Sequence, residues 1–250
     1  ARRLQRQREI IVKKILITGV SSGIGYGLAG YYLGLGHRVL GLSRRAPEGL
    51  EQQGLCFTRC DLSDSTTIES AVRTLLNEGR HLDLVILNAG VLGRFGDLAD
   101  STHDDLTRTM QINVWANVSV LNCLFETRVN VPQVVAMSSG ASVNGNRGWS
   151  GYSISKSALN MLIRLYSREQ PETHFCALAP GLVDTAMQDE LCGHEPDERY
   201  PAVEVLRSKR QTAEMPDAAQ AAPMLAAAIE RLPRIVDSGE YADVRSLPPA

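Results

Sequence analysis

Tyr152 and Lys156 stand four residues apart, and Ser139 precedes them across a glycine-bearing stretch. On a helix that spacing puts a phenol and an ammonium on one face, one turn apart. A cation held beside a phenol favours the phenolate and draws its pKa down from about 10. A tyrosine tuned in this way passes a proton to or from a reacting oxygen. The same spacing also serves ordinary helix pairs, so its meaning depends on what else the chain carries.

The elements that must position these groups begin near the start of the chain. Residues 13–19 read as a short, apolar, buried parallel strand. It runs into Gly19, Val20, Ser21, Ser22, Gly23, Ile24 and Gly25, and then into a helical stretch from Tyr26 to Leu35. A glycine-rich turn at that place presents bare N–H groups at a positive helix end, which suits a diphosphate. Its GxxxGxG spacing departs from the GxGxxG fingerprint, and a plain tight turn is the other reading. Further strands are expected at 38–43, 55–60, 82–87, 133–137, 174–179 and 240–244, alternating with helices. That order predicts one doubly wound α/β domain over 13–250, with a mostly parallel sheet of about seven strands. Ligands of such sheets sit beyond the carboxyl ends of the strands, where these motifs cluster.

Composition narrows the partners. With 250 residues, 44% of them hydrophobic, the chain can bury a full core. A net charge of −2 gives no nucleic-acid footprint. The five cysteines, Cys56, Cys60, Cys123, Cys176 and Cys192, show neither a CxxC pair nor zinc spacing, so no metal site is expected. Scattered in this way they suit a reducing compartment as small core residues. Without a membrane-length apolar run or a secretory signal, the expectation is a cytoplasmic protein that binds no membrane. The basic stretch 1–12 reads as a flexible extension with no assigned role.

Taken together, Thr18 to Gly25, Asn88-Ala89-Gly90, Ser139, the Tyr152/Lys156 pair and Pro180-Gly181 resemble the ordered motif set of the short-chain dehydrogenase/reductases. The resemblance runs from Lys14 to Val244 and implies a Rossmann fold and a nicotinamide cofactor. It implies that Tyr152 is the general acid when hydride reaches a carbonyl carbon, and that Lys156 also holds the nicotinamide ribose. Ser139 would bond the carbonyl oxygen, and Asn113 would hold a water connected to the lysine. Asp61 and Leu62 would meet the adenine, Asn88, Ala89 and Gly90 would pass along the cofactor, and Pro180, Gly181, Val183 and Thr185 would meet its nicotinamide end. Where NAD enzymes carry an acid after the second strand, this chain has Ser43, Arg44 and Arg45. Guanidinium forks suit a 2′-phosphate, so NADP(H) is expected, with Arg44 as the main contact.

Finer features resemble the sepiapterin reductase and benzil reductase branch, whose members reduce vicinal dicarbonyls with NADPH. In that frame Ser139, Tyr152, Gly181 and Met187 border the substrate. Trp149 reads either as a flat wall for a ring or as a core or subunit-contact residue. Asp243 falls where the branch anchors a pterin ring, although the residues after it do not follow the mammalian pattern. The segment 186–216 reads as a lid or substrate loop, with a short helix at 201–209. Homodimers or homotetramers are implied, and Leu159, Met161, Leu162 and Leu165 offer either that contact or sheet packing. An NAD(P)-dependent secondary-alcohol dehydrogenase and a non-catalytic nucleotide sensor are the alternatives to a carbonyl reductase.

Overall fold

Seven short segments build one sheet because their backbones pair in parallel, and the five inner ones are apolar and covered on both sides. In the computed structural model, which describes residues 11–77 and 79–249, the strands are β1 Lys14–Thr18, β2 Arg38–Ser43, β3 Cys56–Arg59, β4 Leu84–Leu87, β5 Gln133–Met137, β6 His174–Ala179 and β7 Glu240–Asp243. Their order is β3-β2-β1-β4-β5-β6-β7, and every pairing is parallel. The chain starts at the centre, builds outward to β3, then crosses back to β4. That reversal opens a crevice between the carboxyl ends of β1 and β4. Most of the basic 1–12 extension lies outside the described residues.

The helices fall on two faces. On one, α1 Gly23–Gly34 lies against α9 Ala218–Ile235, and both cover Ile15, Ile17, Val135 and Leu178. On the other, α2 Ser65–Leu76, α4 Ala116–Glu126 and α6 Ser150–Glu169 cover Leu16, Leu87, Val134 and Phe175. Burying each such leucine or phenylalanine contributes about 1.5–3 kcal/mol relative to leaving it exposed. Alternate strand residues thus enter opposite cores, which is why the strands read as continuous apolar runs. Between α2 and α4 lie α3 His103–Met110 and a π-helical turn, Gln111–Trp115; α5 Ala141–Asn144, α7 Ala186–Cys192 and α8 Pro201–Lys209 are short.

Local chemistry sets the starts of several helices. Asp64 caps α2 by accepting from Thr66 N at 3.0 Å. Thr102 with Asp105, and Asp217 with Gln220, form reciprocal capping boxes at α3 and α9. On α6, Leu159 and Leu162 are buried, whereas Met161 and Leu165 are exposed. The first pair packs on the sheet and the second faces outward.

The 186–216 segment differs from the loop expected of it. Alongside the anticipated helix at Pro201–Lys209, residues Ala186–Cys192 form α7. Met187 and Leu191, four apart, share the face that joins Tyr152 and Val203 in one apolar cluster. That tertiary contact supplies what seven residues lack on their own.

Candidate active site

Ser139 stands two residues past the end of β5, and the first turns of α6 lift Tyr152 and Lys156 toward it. The Tyr152 phenol shares a hydrogen bond with the Ser139 side chain, whose Oγ also accepts from Ala141 N at 3.1 Å. Tyr152 and Lys156 are both buried. Lys156 Nζ lies 5.7 Å from the centre of the Tyr152 ring and donates to the Met137 carbonyl oxygen at 2.7 Å. Burial draws the ammonium down to about 8. It pushes the phenol above its ordinary value, while the bond with Ser139 opposes that shift. The lowered phenol pKa expected from spacing alone is therefore corrected: desolvation by burial is the largest cause and outweighs the hydrogen bond with Ser139. A phenol in this state stays protonated at neutral pH, which is the form a general acid needs.

Asn113 sits in the π-helical turn, a feature frequent at functional sites. Its side chain is fully buried and committed: Oδ1 accepts from Val91 N at 2.8 Å, and Nδ2 donates to Val91 O and to Ser155 Oγ, both at 2.9 Å. Its backbone oxygen accepts from Asn117 Nδ2 at 2.9 Å. Asn113 thus ties the chain after β4 to the helix that carries Tyr152 and Lys156.

At the carboxyl end of β1, Gly19 has φ +77, and a Cβ there would come within 2.8 Å of Ala89 Cα. Asn88 fastens this turn to β4 by donating from Nδ2 to Thr18 O at 3.0 Å and to Gly19 O at 3.2 Å. A Cβ on Gly90 would lie 3.3 Å from both Lys156 Nζ and Asn113 Oδ1, so the backbone passes close to the buried lysine. Thr185 packs its methyl toward Gly23, 3.4 Å from where a Cβ would stand. The turn over Ser21, Ser22, Ile24 and Gly25, the 88–90 stretch and Thr185 therefore border the crevice at the carboxyl ends of β1 and β4, where glycines let the backbone segments approach closely.

Beyond it, a cleft of about 410 Å³ is lined by Arg44, Arg45, Arg59 and Asp61. Ser43 Oγ holds the turn by donating to Arg45 O at 2.7 Å. No motif marks Arg59 in the sequence, yet the β2–β3 register sets it opposite Ser43. Asp61 accepts from Ser63 N and Oγ, which hold its carboxyl below the usual range. Leu62 beside it is buried. Three guanidiniums against one carboxylate leave the cleft positive. The glycine cradle and this positive end fit a dinucleotide phosphorylated on its adenosine ribose.

The cover over Tyr152 is apolar: Leu92, Trp149, Leu191, Tyr200 and Val203, with Phe95 and Met187 packed on them. Trp149 is buried and meets Phe95 edge-on at 5.3 Å, so it forms part of this wall's interior. Gly181, with φ +77, faces Val244 and Arg245. Pro180 and Val183 lie on the same stretch after β6, and Val183 is buried. Asp243, which falls at the expected pterin-anchor position, is paired: Arg245 donates to it from the backbone N at 2.9 Å, from Nε at 2.9 Å and from Nη2 at 2.5 Å.

Residues 13–195 match the short chain dehydrogenase family. The chain belongs to that family. A benzil reductase ((S)-benzoin forming) of Bacillus subtilis is 32% identical over 185 residues, covering 69% of this chain and 75% of the relative. An NADPH-dependent pterin aldehyde reductase of Arabidopsis thaliana is 27% identical over 207 residues, 74% and 81% of the two chains. The solved short chain dehydrogenase/reductase of Saccharomyces cerevisiae superposes with a TM-score of 0.83 at 24% identity, over 94% of this chain and all of that one. This short chain dehydrogenase therefore resembles the branch that the residues around Tyr152 and Asp243 suggested. Among its described residues, no helix is long and apolar enough to cross a membrane.

Proposed function

We propose that this short-chain oxidoreductase is an NADPH-dependent carbonyl reductase acting on a ketone, with vicinal dicarbonyls as the substrate class. One observation carries the reading: a protonated, buried Tyr152 meets Ser139 beneath an apolar cover, at the end of a crevice whose far side is lined by three arginines. Bound NADPH supplies the hydride. As the carbonyl oxygen gains negative charge, the Tyr152 phenol donates its proton to it, and the Ser139 hydroxyl hydrogen-bonds the same oxygen. Lys156, anchored on Met137 O, places its charge under the phenol and stabilises the phenolate left behind. Asn113 keeps that helix in register with the chain bordering the cofactor. Arg44, Arg45 and Arg59 receive the 2′-phosphate, and the glycine turn receives the diphosphate.

The names of the relatives support a dicarbonyl or pterin-like substrate, since they include a benzil reductase and a pterin aldehyde reductase. Exposed Ile154, Met161 and Leu165 on α6 support association with further copies of the chain. The test follows nicotinamide absorbance with NADPH and NADH in parallel, on benzil, sepiapterin and a simple monoketone. Reduction of a dicarbonyl with strong NADPH preference is expected. Equal use of NADH overturns the cofactor reading, and failure of every carbonyl despite NADPH binding overturns the substrate reading.

A further inference from the structure

Asp97 joins three separate segments around Tyr152. Its carboxylate accepts from Arg147 Nε at 2.7 Å and Nη2 at 2.5 Å, a two-pronged pair just before α6. Arg199 Nη1 stands 3.7 Å from the same carboxylate, while its Nε and Nη2 grip Asp197. Both guanidiniums lie over the ring of Tyr200, 5.9 and 5.1 Å from its centre. Tyr200 in turn meets Phe95 at 4.9 Å, and Phe95 also touches His194 and Trp149. The backbone reinforces the junction: Gly96 N donates to Gly148 O at 2.9 Å, and Ser150 Oγ donates to Gly96 O.

Arg147 leads into the helix of Tyr152 and Lys156, and Tyr200 leads into α8, whose Val203 packs in the cluster with Tyr152. Isolated surface ion pairs contribute little, but two-pronged carboxylate pairs joined into a network are the exception. Asp97 is only 21% exposed, so its charge is partly shielded from screening. We propose that Asp97 is a positioning residue that latches the 193–200 stretch of the cover to the start of α6, holding the pocket closed against Tyr152. This rests on the reading of Tyr152 as the proton donor.

The test compares Asp97→Asn, Arg199→Gln, their double variant and Asp97→Glu in the full chain. Asp97→Asn is expected to raise the carbonyl KM about five- to tenfold, the size of a network ion-pair loss, with NADPH affinity unchanged. Backbone amides between 193 and 203 should exchange hydrogen faster, Asp97→Glu should recover part of both effects, and the double variant should resemble Asp97→Asn alone. Unchanged exchange and KM in Asp97→Asn, or simple addition of the two single effects, overturns the latch. Exchange is read without any substrate. Faster exchange in a protein that reduces no carbonyl would therefore leave the latch standing and remove the functional reading, whereas a normal reductase with unchanged exchange would do the reverse.

Discussion

Lys156 Nζ donates to the Met137 carbonyl oxygen at 2.7 Å and stands 5.7 Å from the centre of the Tyr152 ring. The ammonium is thus anchored to the strand end that also presents Ser138 and Ser139, and its charge is kept in a fully buried place. Its fall from 10.5 to about 8 corresponds to roughly 3 kcal/mol of desolvation cost while it is charged. The sign follows from proton counts: between pH 8 and about 10.5 the unfolded chain binds the lysine proton and the folded one does not, so stability rises with pH there. Lys156→Met removes that slope. Unfolding midpoints of the two proteins measured from pH 7 to 10.5 should converge as pH rises, by up to about 3 kcal/mol. Parallel curves would mean that the ammonium is not desolvated. Tyr152, whose phenol is pushed upward, acts in the opposite sense above about pH 10 and is common to both proteins.

Tyr152→Phe removes the phenol hydroxyl, the proposed proton donor, and keeps the ring. Reduction should fall about 10³-fold, within the usual range for a general acid, while NADPH binding followed by fluorescence stays within about twofold. Ser139→Ala should cost about 10²-fold in kcat, as expected for one donor to a developing oxyanion. Wild-type turnover by Tyr152→Phe would end the mechanism.

Arg44 and Arg59 reach the same cleft from β2 and β3. Replacing either by alanine should raise the KM for NADPH about ten- to a hundredfold, the weight of a hydrogen bond to a charged group. NADH use should be unchanged. Titrating NADPH at rising salt should weaken binding in the wild type more than in the double variant. If only Arg44→Ala has an effect, Arg59 lines the cleft without touching the phosphate.

The contrast between those two arginines shows what the chain discloses by itself. Arg44 follows a strand and stands where a carboxylate would read a ribose hydroxyl, so local order points to it. Arg59 looks like one more charged residue on a strand, and only the parallel register with Ser43 brings it to the cleft. The inner strands are legible because they are buried on both faces and read as apolar runs, whereas the edge strands Cys56–Arg59 and Glu240–Asp243 are only partly buried and show by their place in the strand–helix alternation. α7 is not legible, because Met187 and Leu191 become a helix face only against Tyr152 and Val203, which are distant in sequence. The direction of the Tyr152 shift was hidden for the same reason: spacing reports the neighbouring cation, whereas desolvation depends on the cover. Asp243 was legible as a position but not as a partner, since nothing in its type discloses that Arg245, two residues on, turns back onto it.

A guanidine-like edge of a ring needs both carboxylate oxygens, and Arg245 Nε and Nη2 already occupy both of Asp243. Arg245 also passes Gly140, next to Ser139: a Cβ on that glycine would lie 3.7 Å from Nη2. A pterin would have to displace a charged partner, whereas benzil presents no donors and has no use for the carboxylate. Wild-type protein should therefore favour benzil over sepiapterin. Arg245→Ala should lower the sepiapterin KM about tenfold, as a charge-assisted hydrogen bond becomes available to substrate, and leave benzil nearly unchanged. Asp243→Asn added to Arg245→Ala should cancel the gain. If the wild type already turns over sepiapterin as well as benzil, Arg245 does not shield Asp243. If Arg245→Ala impairs both substrates equally, its role is to hold the loop after β7.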